Sequence, residues 1–208
     1  MSARTILIAT GNPHKLEELG AIFEPLGIRA IGLHDISGGA GIPEPVEDAD
    51  TFEGNAQIKA VAYARATRRT VLADDSGLEV DVLGGAPGVR SARYAGVEGD
   101  RATRDGANNA KLLDALQDVP DEERTARFVC AICVADAEGT VRATSRGEFA
   151  GVIGREPRGS NGFGYDPLLI LEDGRTSAEL TPEEKNRRSH RAEAGRKIAE
   201  RLAAVLGC

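Results

Sequence analysis

Two adjacent carboxylates, Asp74 and Asp75, follow a short apolar segment, residues 70–73, that predicts a buried strand. Residues at the carboxyl end of such a strand often face a ligand in open α/β sheets. Adjacent negative charges are costly unless a cation or hydrogen bonds compensate them, and a divalent ion shared with substrate phosphates is a common solution. The pair therefore favours a functional site, with Glu47 or Asp74 as the second metal ligand beside Asp75. The structural alternatives are that Asp75 caps a turn into Ser76 and that Glu47 is a surface acid.

The segment Thr10-Gly-Asn-Pro predicts a second candidate site, because it separates an apolar strand, residues 5–9, from a helix that begins at Pro13. Backbone N–H groups at a helix N-terminus bind anions, and Lys15 adds a full positive charge in the first turn. The segment lacks the Walker pattern of phosphate-binding loops. An ordinary strand-to-helix turn with a solvated lysine is the structural alternative.

Two of the few aromatic residues lie in one glycine-rich loop, Phe163-Gly-Tyr-Asp166. The rings could stack on a planar base, and Asp166 could accept hydrogen bonds from its N–H groups, whereas buried rings that anchor the loop are the structural alternative. Lys185, His190 and Arg191 lie near a late helix start, where they could reach phosphate or a base carbonyl, although a solvated helix face is the more usual role of such charges. The sequence thus offers groups that can bind an anion, a candidate metal site, a loop that could stack on a base, and cationic residues near its end. Together these features indicate a nucleoside triphosphate hydrolase.

The chain has 208 residues, of which 41% are hydrophobic and 28% charged, which is ordinary for a folded globular protein. With 26 Lys and Arg against 33 Asp and Glu, the formal net charge is −7, which does not favour binding to nucleic acid or to an anionic membrane. No segment approaches the roughly eighteen consecutive apolar residues of a membrane span. Residues 1–4 lack a signal-peptide pattern, so we expect a cytoplasmic protein.

The cysteines, three in all, fit a reducing compartment. Cys130 and Cys133 form a C-x-x-C pattern inside an apolar segment, residues 127–134, that predicts a strand. Residues three apart on a strand face opposite sides, whereas a redox or zinc pair needs both sulfurs on one side. We therefore expect both to be core cysteines.

The elements that must position these residues do not alternate strictly between strand and helix, which predicts a mixed α/β sheet. Asn55 and Lys59 are four residues apart and share one face of a predicted helix. Two long loops, 34–50 and 155–166, carry the acidic and the aromatic candidates. The predicted strands span residues 5–9, 28–33, 70–73, 78–83, 125–136, 140–149 and 168–171, and the predicted helices span 13–26, 51–68, 100–116 and 181–206, the last with a restart at Ser189.

Several segments match those of a known family, in the same order and over nearly the whole chain. They are Ala9-Thr-Gly-Asn-Pro-His-Lys15, Thr51-Phe52, Asn55-Ala56, Lys59-Ala60, Ala73-Asp-Asp-Ser-Gly-Leu78, Leu83-Gly-Gly-Ala-Pro-Gly-Val89, Ser91-Ala-Arg-Tyr94, Gly162-Phe-Gly-Tyr-Asp-Pro167, Ala178-Glu-Leu-Thr181, Lys185 and Ser189-His-Arg191. The combination is specific, although no single segment is. The chain therefore resembles the Ham1/RdgB family of inosine/xanthosine triphosphate pyrophosphatases, which act on non-standard purine nucleotides.

This resemblance implies an elongated α/β protein with a mixed sheet and flanking helices, in which two lobes of a single domain, residues 1–208, surround a central cleft. It also implies a homodimer that converts ITP, dITP or XTP to the monophosphate and pyrophosphate with Mg²⁺. Asp75 would be the general base and, together with Glu47, would hold the metal. The residues implied to bind substrate are Thr10, Gly11, Asn12, Pro13, His14, Lys15, Lys59, Ser76, Phe163, Gly164, Tyr165, Asp166, Lys185, His190 and Arg191.

The mechanistic hypothesis is attack of water on the α-phosphorus, with Asp75 accepting the proton and with Lys15 and the metal offsetting the developing charge. A Maf-like pyrophosphatase for modified pyrimidine nucleotides and a non-catalytic nucleotide sensor are the alternative functions. The presence of Asp74, Asp75 and Glu47 disfavours the sensor, because binding alone needs no base. The hypothesis requires that the matching segments share one cleft, with Asp75 near Lys15 and Phe163.

Overall fold

The computed structural model describes residues 4–206, and these residues include six strands that form one sheet. The strands are β1 Arg4–Ile8, β2 Ile28–Gly32, β3 Val71–Val80, β4 Thr125–Ala135, β5 Val141–Ile153 and β6 Leu169–Ile170. Their order in the sheet is β2-β1-β3-β4-β5-β6, in which β1 runs parallel to β2 and β3 while β5 and β6 are antiparallel. The predicted α/β class and the mixed sheet are thus confirmed.

The helices begin close to the predicted positions, because the capping residues that mark their starts act as expected. Asn12 accepts a hydrogen bond from the backbone N–H of His14, and Thr51 accepts one from Gly54. The predicted restart near Ser189 is also present, since Ser189 separates the last two helices. The helices are α1 Pro13–Phe23, α2 Phe52–Thr67, α3 Arg101–Ala115, α4 Pro182–Arg188 and α5 His190–Val205.

The expectation that a strand ends before Asp74 is wrong. β3 is continuous from Val71 to Val80, so Asp74, Asp75 and Ser76 all lie inside it. Charged residues can occupy a central strand here because each carboxylate has cationic partners, Lys15 for Asp74 and Lys59 for Asp75. Side chains alternate along a strand, so the two aspartates face opposite sides of the sheet.

Two further predicted bounds differ from the structure. The first helix ends at Phe23 and continues as a 3₁₀ turn, Glu24–Leu26, because Pro25 lacks the N–H that an α-helix needs. The predicted strand 78–83 is only the end of β3, and a 3₁₀ turn, Asp81–Leu83, follows it. In the hairpin of β4 and β5, Gly139 supplies the left-handed turn residue with a φ of 83°.

The chain divides into two compact units, each with its own apolar core. The first comprises residues 1–75, 130–147 and 190–208, and the second comprises residues 76–129 and 148–189. Ile6, Phe23, Leu72, Ile132 and Ile198 belong to the core of the first unit, which packs α1 and α5 against the sheet. The core of the second unit includes Leu78, Leu112, Phe128, Phe149, Tyr165 and Leu180. Within residues 4–206, none of the helices combines the length and apolar character needed to span a lipid bilayer.

The C-x-x-C pattern is part of the buried strand β4. Cys130 and Cys133 are free thiols that are at most 1% exposed, as expected for core cysteines. Burial raises the pKa of Cys130 to about 12 and that of Cys133 to about 11, so both stay protonated and unreactive near neutral pH. Cys208 lies outside the described residues.

Candidate active site

Asp75 is bound by two side chains of α2, in the first unit. Lys59 Nζ donates to Asp75 Oδ1 at 3.1 Å, and Asn55 Nδ2 donates to Asp75 Oδ2 at 3.3 Å. The same Lys59 ammonium donates to Glu47 Oε2 at 2.8 Å. Asn55 Oδ1 accepts from the backbone N–H of Ala49 at 3.0 Å, which fixes the acidic loop beside the helix. Lys59 therefore lies between the two carboxylates that the sequence predicts as metal ligands.

Burial and mutual charge set the protonation of this cluster. Burial and the nearby Glu47 carboxylate raise the pKa of Asp75 above its usual value, against the opposing effect of the lysines. Burial alone would lower the pKa of Lys59, but the carboxylates around it, first Asp75 and then Asp74, raise it overall. Lys59 therefore stays charged, and Asp75 is a better proton acceptor than an exposed aspartate.

Asp74 binds cations on the opposite face of β3. Its Oδ2 lies 2.9 Å from Lys15 Nζ and 3.4 Å from Arg191 Nη2, and Arg191 also pairs with Glu18. Burial opposes ionisation, but Lys15 and Arg191 hold the pKa of Asp74 well below its usual range. Asp74 Oδ1 is buried and has no hydrogen-bond partner among residues 4–206, so the cations must offset its desolvation.

The segment from Thr10 to Lys15 forms the turn between β1 and α1. The backbone N–H of Asn12 donates to Thr10 Oγ1 at 3.1 Å, and Asn12 Oδ1 accepts from the N–H of His14 at 3.1 Å. Pro13 is the first residue of α1 and Gly11 is exposed. The turn is thus held in one conformation, with Lys15 directed to Asp74. That these residues bind phosphates stays a prediction.

The carboxylates of Glu47 and Asp75 around Lys59 fit a magnesium ion better than a cation that takes all of its ligands from the protein. Within residues 4–206, no group of three or more His, Cys, Asp or Glu residues is placed to hold a metal. Mg²⁺ typically takes one or two protein carboxylates and completes its shell with waters and substrate phosphates. Glu47 and Asp75 converge on one ammonium and match that requirement, whereas Asp74 is fully buried and is neutralised by Lys15 and Arg191.

The aromatic loop belongs to the second unit, and Asp166 organises it. Its carboxylate accepts from the N–H of Phe163 at 2.8 Å, from Ser177 Oγ at 2.7 Å and from Lys185 Nζ at 2.6 Å. Tyr165 is 4% exposed and donates its hydroxyl to the carbonyl of Ser91 at 2.9 Å. Asp166 and Tyr165 therefore stabilise the loop, and the half-buried Phe163 is the ring of the pair that keeps exposed surface.

The three late cations have different surroundings. In the second unit, Lys185 Nζ lies 5.0 Å from the centroid of Phe163, in addition to its ion pair with Asp166. In the first unit, His190 begins α5 and is 6% exposed, while Arg191 is fully buried in its pairs with Asp74 and Glu18. Their predicted contacts with substrate, like that of Ser76 in β3, stay predictions.

Sequence reasoning missed several residues that hold the candidate residues in place. The spacing of Asn55 and Lys59 indicates their shared helix face, but not the contact of Asn55 with Asp75. Glu18 gave no signal, because its partner Arg191 is 173 residues away in the sequence. Residues of α3 that contact the aromatic loop were missed although they recur every four residues; they are Arg101, Asp105 and Asn109.

The mixed sheet, with Glu47 and Asp75 paired to Lys59 of α2, defines an α/β protein with a cluster of buried ionisable residues beside that helix. The chain belongs to the Ham1 family, whose profile matches residues 6–201. It is 48% identical over 200 residues to a dITP/XTP pyrophosphatase of Bacillus subtilis, covering 95% of this chain and 96% of that protein. It is 47% identical over 205 residues to the dITP/XTP pyrophosphatase of Geobacillus kaustophilus, covering 98% and 97%.

Solved structures agree with this assignment. A HAM1 protein from Coxiella burnetii is similar with a TM-score of 0.84 at 38% identity, covering 97% of this chain and 99% of that one. The Ham1 protein of Staphylococcus aureus is similar with a TM-score of 0.82 at 36% identity, covering 97% and 100%. The expected family is thus confirmed by sequence and by fold.

Proposed function

We propose that this protein hydrolyses non-standard purine nucleoside triphosphates, namely ITP, dITP and XTP, to the monophosphate and pyrophosphate. The position of Lys59 between Glu47 and Asp75 is the observation that carries the proposal, because it gathers a base and a cation at one point. Relatives that are 47–48% identical over nearly their full length carry the name dITP/XTP pyrophosphatase, which supports the substrate class.

Asp75 acts as the general base in this proposal. Its raised pKa makes it a competent proton acceptor, and Asn55 and Lys59 restrict the orientation of its carboxylate. It accepts the proton of a water that attacks the α-phosphorus, so that the bond to the departing pyrophosphate breaks. Phosphoryl chemistry of this kind depends mainly on positioning and charge stabilisation, and Lys59 supplies charge beside the base.

The phosphates are bound by the turn before α1 and by the lysines. Lys15, aligned by Asp74, donates to phosphate oxygens together with Thr10, Gly11, Asn12 and His14, while Pro13, which has no N–H, shapes the turn between them. Lys59 adds a further contact. Glu47 and Asp75 hold Mg²⁺, which when bound supplies positive charge against the charge of the triphosphate.

The base is recognised by the aromatic loop and the late cations. Phe163 stacks on the purine, and Lys185 beside its ring completes base recognition. Arg191, which is fully buried, contributes by holding Asp74, the partner of Lys15. A site that donates hydrogen bonds to a 6-oxo group opposes the amino group of adenine, which is a donor itself. The 2-amino group of guanine requires additional space or an acceptor. Hypoxanthine and xanthine are therefore the preferred bases.

The proposed protein is a homodimer that acts in the cytoplasm.

One assay distinguishes the proposed activity from the two alternatives, a Maf-like enzyme for modified pyrimidine nucleotides and a non-catalytic nucleotide sensor. The purified chain is incubated with Mg²⁺ and, separately, dITP, XTP, dGTP, dATP or a modified pyrimidine triphosphate, and the products are separated by chromatography. We expect monophosphate and pyrophosphate from dITP and XTP at rates well above those from dATP. Release of single phosphate, equal rates on all purines, or no turnover would refute the proposal.

A further inference from the structure

One face of α3 contacts the aromatic loop within the second unit. Arg101, Asp105 and Asn109 are spaced four residues apart, which places them on the same side of the helix. Arg101 Cζ lies 4.6 Å from the centroid of the Phe163 ring, and the other two side chains hydrogen-bond to Gly164. A continuous stripe of α3 thus meets the segment proposed to contact the base.

Gly164 is held by both of its backbone hydrogen-bonding groups. Its N–H donates to Asp105 Oδ2 at 2.8 Å, and its carbonyl accepts from Asn109 Nδ2 at 3.0 Å. Gly164 has a φ of 62°, a conformation that residues with a side chain rarely adopt. Because Gly164 has no side chain that could pack, these two hydrogen bonds restrain it and the neighbouring Phe163.

We propose that Asp105 and Asn109 are positioning residues that fix Gly164, and through it the Phe163 ring, for purine recognition. The inference rests on the proposed function, in which Phe163 stacks on the base. It assigns to α3 a role in base affinity and base selection, and none in the chemistry at the α-phosphorus.

The two side chains have opposite hydrogen-bonding roles. The side chain at position 105 has only to accept a hydrogen bond from Gly164. Asparagine keeps a carbonyl oxygen at that position and should therefore preserve this hydrogen bond. Asn109 must donate, so the isosteric aspartate would place an oxygen against the carbonyl of Gly164 and repel it. Asn109 Oδ1 is buried and has no hydrogen-bond partner in the described part of the chain, so the amide acts here through its nitrogen.

Amide hydrogen exchange of Gly164, measured by NMR without nucleotide, tests the positioning directly. Asp105→Ala should accelerate exchange of this amide about tenfold or more, as expected for loss of its hydrogen bond. Asp105→Asn should restore most of the protection. Asp114→Ala, which removes an exposed aspartate from the same helix, is the matched control and should leave the exchange unchanged.

Steady-state kinetics with dITP and dATP test the consequence for recognition. Asn109→Asp should raise the KM for dITP about tenfold or more, while kcat changes little. A tenfold change corresponds to about 1.4 kcal/mol of binding energy. The ratio of kcat/KM for dITP to that for dATP should fall. Asp105→Ala should behave likewise, and Asp105→Asn should recover most of the lost affinity. Asp114→Asn controls for charge.

The outcomes separate this inference from the proposed function. A wild-type protein that releases no pyrophosphate from dITP or XTP refutes the function, whereas the exchange experiment still decides whether Asp105 restrains Gly164. A wild-type protein that is active, with KM and selectivity unchanged by Asn109→Asp and Asp105→Ala, overturns the inference. If Asn109→Asp does not fold, as judged by its thermal transition, Asn109→Ala is used for the same kinetic measurements. An equal fall of kcat on all nucleotides would also overturn it.

Discussion

Lys15 Nζ lies 2.9 Å from Asp74 Oδ2, and Asp74 is completely buried. The adjacent Asp75 faces the other side of β3, where Lys59 lies 3.1 Å from its Oδ1. Two consecutive strand residues therefore each align one lysine, and the charge of each lysine also acts on the other aspartate. Asp74 orients a proposed phosphate-binding lysine, and Asp75 shares its lysine with Glu47, so the two aspartates have different roles.

Asp75→Asn should lower kcat for dITP by about 10²- to 10⁴-fold, the usual contribution of a general base. At saturating Mg²⁺, KM should change less than kcat, because asparagine has the same shape and its one carbonyl oxygen can still accept a hydrogen bond from Lys59. The measurement is release of pyrophosphate under steady-state conditions. Asp118→Asn, at an exposed aspartate, is the control and should retain wild-type turnover. Near-normal turnover of Asp75→Asn would exclude Asp75 as the base.

Lys59→Met should lower kcat/KM for dITP by about 10²-fold or more, comparable to loss of a charged group that stabilises a transition state. The variant removes the cation between Glu47 and Asp75, so the carboxylates repel each other and Asp75 loses a restraint on its orientation. Lys197→Met, at an exposed lysine of α5, is the matched control. If the Lys59 and Lys197 variants lose equal activity, a specific role for Lys59 is excluded.

Removal of divalent ions with EDTA should abolish pyrophosphate release, and added Mg²⁺ should restore it. Glu47→Gln should raise the Mg²⁺ concentration needed for half-maximal activity about tenfold or more, because an amide is a weaker ligand for a hard cation than a carboxylate. Glu44→Gln changes an exposed glutamate of the same loop and should leave this concentration unchanged. Full activity in EDTA would contradict the metal assignment.

Local signals in the sequence were sufficient for most elements and for several members of the candidate site. Helix starts were predictable because Asn12 and Thr51 cap through their own side chains, which depends only on nearby residues. The spacing of Asn55 and Lys59 likewise indicated that they share a face. The acidic loop indicated Glu47 as a candidate carboxylate, and the resemblance to the Ham1 family gave it the role of a metal ligand.

Features that depend on distant partners were not predictable in this way. The sequence Asp74-Asp75-Ser-Gly resembles a turn, and β3 continues through it because Lys15 and Arg191 neutralise Asp74 from α1 and α5. The contacts of α3 with Gly164 join residues 55 and 59 positions apart, and no local pattern indicates them. Ion pairs with residues distant in the sequence thus allow Asp74 to lie in a strand although the local sequence favours a turn.

Asp74→Asn should destabilise the fold by about 3–5 kcal/mol at pH 7, because it leaves the buried Arg191 and Lys15 with less compensating charge. Since the pKa of folded Asp74 lies well below the value of about 3.9 for an unfolded aspartate, its contribution is complete above that pH and is lost as the pH falls further. The difference in stability between the wild type and the variant should therefore begin to shrink below about pH 4 and shrink further in stronger acid.

Urea unfolding at pH 7, 5 and 3, without nucleotide or Mg²⁺, measures this difference in stability. Asp118→Asn, at an exposed aspartate, controls for the general effect of removing one negative charge from an acidic protein. Besides Lys15 and Arg191, the charge that acts on Asp74 is Lys59, and Arg191 also pairs with Glu18. A stability difference as large at pH 3 as at pH 7 would show that the Asp74 charge does not stabilise this core.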